Sequence, residues 1–192
     1  TSIDIANQTS PTILGDLLRR DFSINSIAFS FDQKCLIDPL NGIKDLQFSL
    51  LRTYSEVNLL DDPLRILRCF RFVSELNFTI DAKLLIFIKK YKAKLNFIAN
   101  ERINYEIQKI VQGVNAFQSV LYLQKMNIFQ FESFSKDLFL DLKDINCEEL
   151  IQSEKDQFLP FFYILQILDL SALSKFKFSK SQILKTKLLL KW

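Results

Sequence analysis

The chain has 192 residues, 48% of them apolar, with 25 basic against 22 acidic side chains, enough for one sizeable core or two small ones. It contains no histidine, which excludes Ser–His–Asp and Cys–His catalysis. Its three scattered cysteines (Cys35, Cys69, Cys147) form no CxxC pair, which argues against a zinc site or a disulfide framework and suits a reducing compartment.

No apolar run reaches the roughly 20 residues needed to cross a bilayer, and no secretory signal pattern is present. Abundant phenylalanine, isoleucine and lysine with scarce glycine fit an AT-rich genome. The expected setting is therefore intracellular: a bacterial cytoplasm or an organelle such as a plastid.

In chain order, residues 2–6 alternate apolar and polar and predict a short strand. Asn7 to Pro11 is loop, and Thr12 to Arg20 a short helix. The alternation Ile27, Phe29, Phe31 predicts a strand with one buried face, paired with a second strand at 35–38 through a turn near Asp32. Pro39 to Gly42 reads as a turn, since Asn-Gly tolerates positive φ, and 48–53 as a last short strand. From Asp61 apolar residues recur at three and four, predicting helices near 62–76, 81–94, 101–112, 116–126, 135–142, 147–153, 158–170 and 180–190. The fold class is α+β: a few short strands followed by an all-α body.

Two charged clusters interrupt this pattern. Asp16 to Asn25 brackets Arg19 and Arg20 between Asp16 and Asp21, immediately before a strand. Arginine matches phosphate oxygens bidentately, an adjacent aspartate orients it or takes a ribose hydroxyl, and Asn25 offers both donors and acceptors. Ordinary surface ion pairs at a helix end are the alternative. In the second cluster, Asp62-Pro63 reads as an N-cap with proline in the first turn. Arg65, Arg68 and Arg71 recur every three residues as a stripe on an otherwise apolar, interior helix. Buried guanidiniums need anionic or acceptor partners, and a nucleotide supplies both.

Together the segments DLLRRDFSINSIA (Asp16–Ala28), LIDPLNGIKDL (Leu36–Leu46), LLRT (Leu50–Thr53), DDPLRILRCFRFVSELNF (Asp61–Phe78) and ERINYEIQKI (Glu101–Ile110) resemble the class II tRNA nucleotidyltransferase and bacterial poly(A) polymerase family. The resemblance covers about residues 1 to 112. It implies the last part of a nucleotidyltransferase head at 1–53, a helical neck at 54–112 and a helical body at 113–192. The family's R-R-D-F-T-x-N-A pattern, present as Arg19 to Ser26, implies that Arg20, Asp21 and Asn25 hold the triphosphate and sugar. The E-D-x-x-R pattern, present as Asp61 to Arg65, implies that Asp62 and Arg65 select the base without a template. Arg68 and Arg71 fall where the family lines its nucleotide pocket. Glu101, Arg102 and Glu106 match a helix that props the pocket helix without touching substrate.

The family works with two magnesium ions on an Asp-x-Asp pair preceded by Gly-Gly-x-x-Arg-Asp. Neither occurs in this chain, and the resemblance places them upstream of Thr1. Asp4 stands where the family has a third carboxylate near the metals, so a catalytic and Mg2+-binding role is the expectation for it. The arginine and flexible loop expected after that strand are replaced by Asn7-Gln8-Thr9. Asn41 replaces one of two turn glycines, with Gly42 keeping the other.

The implied activity is addition of CMP and AMP from CTP and ATP to tRNA 3′ ends. The alternatives are poly(A) synthesis, or a non-catalytic RNA-binding module or complementing subunit. Lys89, Lys90, Lys92 and Lys94, with the lysines at 175–191, are candidate RNA phosphate contacts, a solvated lysine face being the alternative. The acidic stretch 137–156 is expected to face away from RNA.

Overall fold

The computed structural model describes residues 10–128 together with Ser179, Lys180 and Ile183. The strand expected at 2–6 with Asp4, the helices at 135–142, 147–153 and 158–170, the acidic stretch and most of the 180–190 helix lie outside the described residues.

Helix α1 spans Ile13–Leu18 and starts where Thr12 Oγ1 accepts from the Gly15 N–H at 3.1 Å, an ordinary N-cap. The chain then passes through a 3-10 turn at Ser23–Asn25 into strand β1, Ala28–Ser30, which pairs antiparallel with β2, Cys35–Ile37, in the register Phe29 to Leu36. Lys34 takes positive φ in the turn between them. The buried face predicted for Ile27, Phe29 and Phe31 is not found. Phe29 is 49% and Phe31 85% exposed, and the two rings meet edge to face at 5.3 Å. Alternation marks two faces of a strand, and a two-stranded ribbon brings no second layer to cover either.

The turn predicted at 39–42 is found at residues 39 and 40 and leads into a helix that the sequence reading does not include, α2 at Gly42–Gln47. Asp38 caps it from outside, with Oδ1 accepting from the Gly42 N–H at 2.6 Å and Oδ2 from the Ile43 N–H at 3.0 Å. Asn41 takes the positive φ of 56°. Gly42 lies directly on the 3-10 turn, where a Cβ would collide with the Ser23 carbonyl. Asp45 on α2 is buried; it accepts from Ser23 Oγ at 2.5 Å and Arg52 Nε at 2.8 Å. Strand β3, Leu50–Leu51, pairs in parallel with a strand the periodicity does not predict, β4 at Thr79–Ile80.

The helix predicted at 62–76 starts three residues later, and a short helix that the periodicity does not predict stands before it. Helix α3 covers Glu56–Asp61 and α4 covers Arg65–Leu76. Asp62 caps the tight turn between them: its Oδ1 accepts from the Leu64 N–H at 3.2 Å and its carbonyl from the Arg65 N–H at 3.0 Å. Asn77, in the left-handed conformation, ends α4.

Helices α5 (Ala82–Tyr91), α6 (Asn100–Gln112) and α7 (Ala116–Lys125) follow, with a 3-10 stretch at Lys92–Phe97. Helix α4 packs against both α6 and α7. Ile66, Leu67 and Phe70 are fully buried there, with Ile107 and Ile110 of α6. Two hydroxyls close these contacts, Ser74 Oγ donating to the Ile110 carbonyl at 2.5 Å and Ser119 Oγ to the Phe70 carbonyl at 2.6 Å. None of the described helices is long and apolar enough to cross a membrane.

Candidate functional site

One end of α4 faces the turn that follows α1, and between them opens a hollow of about 540 Å3. Its walls carry four arginines (Arg20, Arg65, Arg68, Arg102) and two carboxylates (Asp21, Asp62). Asn25 adds an amide, and Leu64 and Phe72 add apolar surface. Four guanidiniums against two carboxylates leave the hollow positive, and its volume lies in the range of small-molecule sites.

Asp21 is 5% exposed and saturated. Its Oδ1 accepts from the Phe22 N–H and from Asn25 Nδ2, each at 2.9 Å, while Oδ2 receives Arg68 Nε at 2.7 Å and Nη2 at 2.6 Å. Its evident task is therefore to orient Arg68 and Asn25. Arg20 donates through Nη1 to the Asn25 carbonyl at 3.1 Å, and its Nη2 lies 3.4 Å from Asp16. Both contacts hold the arginine against its own turn. Arg65 Nη1 donates to the carbonyl of Asn58 at 2.8 Å. Arg102, from the first turn of α6, pairs with Asp62 Oδ2 at 2.9 Å.

Six of the residues singled out in the sequence thus share one hollow: Arg20, Asp21, Asn25, Asp62, Arg65 and Arg68. Arg71 does not line it. Its Nη1 donates to both oxygens of Glu106 at 3.2 Å, its Nε lies 3.6 Å from Glu75, and its guanidinium sits 5.0 Å from the Phe72 ring centre. The reason is geometric. Each three-residue step falls about 60° short of a full helical turn, so Arg71 has rotated roughly 120° away from Arg65. Arg102 was expected to prop from outside, yet it lines the hollow; Glu101 is exposed beside it.

Asn58 is the residue that motif reasoning misses. It is 5% exposed, and its Nδ2 donates to the carbonyls of Leu18 at 2.9 Å and Arg20 at 2.6 Å. Its spacing from Asp62 and Arg65 carries no helical signal, because the chain turns at Asp62 between α3 and α4.

Burial pushes the Glu106 carboxyl above its ordinary value, and the neighbouring Arg71 and Arg68 pull against that shift. Burial likewise pushes the Cys69 thiol far up, so it is a core residue with no reactive thiolate. The lysine run 89–94 is partly structural. Lys90 pairs with Glu56 at 2.9 Å, and Lys92 Nζ donates to the Met126 and Asn127 carbonyls at 3.0 Å, closing the end of α7. Lys89 and Lys94 are exposed.

Residues 3–52 match the family described as the poly A polymerase head domain, and residues 77–132 the one described as the probable RNA and SrmB-binding site of polymerase A. The chain belongs to the tRNA nucleotidyltransferase and poly(A) polymerase family. It is 34% identical to the CC-adding tRNA nucleotidyltransferase of Synechocystis sp. over 78% of this chain and 36% of the relative. The CC-adding tRNA nucleotidyltransferase of Shouchella clausii is 38% identical over 64% of this chain and 33% of its own length. The chain therefore spans about a third of the length of these relatives. In fold, it resembles the Bacillus stearothermophilus CCA-adding enzyme in complex with CTP, with a TM-score of 0.71 over 94% of this chain and 47% of that one, at 23% identity.

Nucleotidyltransferases of this family generally use a divalent metal. The described residues do not fit one: no group of three or more Cys, Asp or Glu among them can hold an ion. Asp21, Asp45 and Asp62 are each paired with an arginine.

Proposed function

We propose that this chain is part of a template-independent nucleotidyltransferase that adds CMP and AMP to tRNA 3′ ends, taking CTP and ATP as substrates. The observation that carries the reading is the shared hollow of Arg20 and Arg65, with Asp21 and Asp62 beside them. A triphosphate supplies acceptors for Arg20 and Arg68, each charge-assisted bond contributing about 1.5–3 kcal/mol. Asp62 and Arg65 present an acceptor and a planar donor fork, which together match the edge of a cytosine or adenine.

In this reading the RNA 3′-oxygen attacks the α-phosphorus, the bond to the β-phosphate oxygen breaks, and pyrophosphate leaves as the hydroxyl proton is lost. The chain's own contribution is positioning and charge: Asp21 fixes Arg68, and the arginines hold the phosphates in line. Magnesium is the proposed cofactor, with ligands among residues other than those described, Asp4 included.

The proposed division is head at 1–53, neck at 54–112 and body at 113–192, with Lys89 and Lys94 offered to RNA phosphates. Unpaired cysteines support a reducing interior, Cys35 exposed and Cys69 buried, in a bacterial cytoplasm or an organelle.

The test is incubation of the complete protein with a tRNA lacking its CCA end and each labelled nucleotide in turn. Stepwise incorporation of C and then A supports the reading. Long A tracts would instead favour the poly(A) synthesis that the matched family's description also covers. Nucleotide binding without incorporation would favour the non-catalytic module, and neither binding nor incorporation overturns the nucleotide site itself.

A further inference from the structure

Two walls of the hollow meet at a residue that does not itself line it. Asn58 lies on α3, between the turn that carries Arg20 and the helix that carries Arg65. Both hydrogens of its amide are used, on the Leu18 carbonyl at 2.9 Å and on the carbonyl of Arg20 itself at 2.6 Å. Its own carbonyl belongs to the last turn of a short helix, where main-chain acceptors have no partner further along and attract cations. The partner it finds is Arg65 Nη1, at 2.8 Å.

We propose that Asn58 is a positioning residue that fixes how far Arg65 stands from Arg20, and thereby sets the base of the bound nucleotide in register with its triphosphate. The inference rests on the nucleotide reading given above. The two arginines come from segments 45 positions apart in sequence, and Asn58 hydrogen-bonds to both. A rigid tie of this kind matters because misplacement of about 1 Å at a reacting centre can cost a hundredfold. The main-chain bond to Arg65 survives any substitution at 58, so a variant acts by releasing α3 from the Arg20 turn. Serine is too short to reach both carbonyls. Aspartate would set carboxylate oxygens against carbonyl oxygens.

The experiment compares the complete wild-type protein with Asn58→Ser and Asn58→Thr, which both leave one donor of short reach, measuring Tm, nucleotide KM and kcat, and the preference between CTP and ATP. Ser119→Ala serves as a control, since it removes a buried hydrogen bond to the Phe70 carbonyl away from the hollow. Asn58→Ser is expected to raise nucleotide KM about tenfold, to change kcat less, and to blur the choice between C and A, with Asn58→Thr acting alike. Ser119→Ala is expected to lower Tm while leaving KM and preference unchanged.

If both Asn58 variants lose only Tm, keeping wild-type KM and preference, Asn58 is a packing residue and the proposal is overturned alone. If Asn58→Ser does not fold, the same comparison is decided on Asn58→Thr. A wild-type protein that binds neither CTP nor ATP overturns the pocket reading and this proposal together.

Discussion

Arg68 and Asp21 stand 47 residues apart in sequence, yet both Nε and Nη2 of the arginine converge on a single carboxylate oxygen, at 2.7 and 2.6 Å. The other oxygen is occupied by the Phe22 N–H and the Asn25 amide. Removing the charge while keeping the shape, as in Asp21→Asn, leaves Arg68 without its anion and places an amide where two acceptor positions were used. We expect a loss of about 1–3 kcal/mol, read as a lower urea midpoint at unchanged slope. Nucleotide affinity should fall as well, because Arg68 is no longer aimed. Wild-type stability in this variant would show that the pair is solvated and contributes little.

Arg102 holds Asp62 Oδ2 while the Leu64 N–H holds Oδ1, so the carboxylate proposed to read the base is oriented from two sides. Arg102 is 52% exposed, and an exposed pair contributes little to folding, at most about 1 kcal/mol. The expected result for Arg102→Ala is therefore a near-normal melting temperature with an altered CTP-to-ATP preference. Single-nucleotide incorporation by the complete protein measures it. Unchanged preference would confine Arg102 to a surface role.

Much of this site is legible in the sequence because its residues are polar interruptions of apolar patterns. Arg65 and Arg68 stand out on a helix whose other positions must be buried, and Asp21 and Asn25 stand out before a strand. Helices α4 to α7 follow from spacing at three and four. What stays hidden depends on partners distant in sequence. Arg71 shares the spacing of Arg65 but meets Glu106, 35 residues on, and no local pattern marks which side of the stripe faces the hollow. Asn58 reads as a polar residue on a short helix until its two carbonyl partners, 40 and 38 residues away, are in place. Helix α2 is masked by the turn residues Pro39 to Asn41 before it, and its first N–H groups find their acceptors on Asp38.

The pair of Arg71 and Glu106 predicts a specific pH response. Burial raises the Glu106 carboxyl above 4.5, against the pull of Arg71. A raised value means that the folded state binds the proton more tightly than the unfolded chain. The contribution of this group is therefore fully favourable below about pH 4.5 and is lost as pH rises through its folded value. Glu106→Gln removes the titration, so the stability of wild type relative to the variant should decline across that window. Urea unfolding at a series of pH values measures the slope. Arg71→Met should raise the Glu106 value further, which a carbon-detected NMR titration reads directly. A lowered value in that variant would show that Arg71 is not the group opposing burial.

Two glycines separate a collision with main chain from one with a side chain. A methyl at Gly42 would meet the Ser23 carbonyl and its carbon, both main-chain atoms of the 3-10 turn that leads to Asn25. Relief requires α2 to move off that turn, and overpacking of this kind costs about 1–3 kcal/mol. A methyl at Gly15 would meet Ser10 Oγ, the end of a side chain that can rotate, in a helix where alanine is favoured over glycine by about 1 kcal/mol. Gly42→Ala should therefore lower the unfolding midpoint and weaken nucleotide binding together, while Gly15→Ala leaves both near wild type or slightly raises the midpoint. Thermal unfolding and CTP titration of the two variants side by side give the comparison. Equal behaviour of the two would mean that α2 yields to the methyl without disturbing the turn, and that the contact at Gly42 does not help hold Asn25 in place.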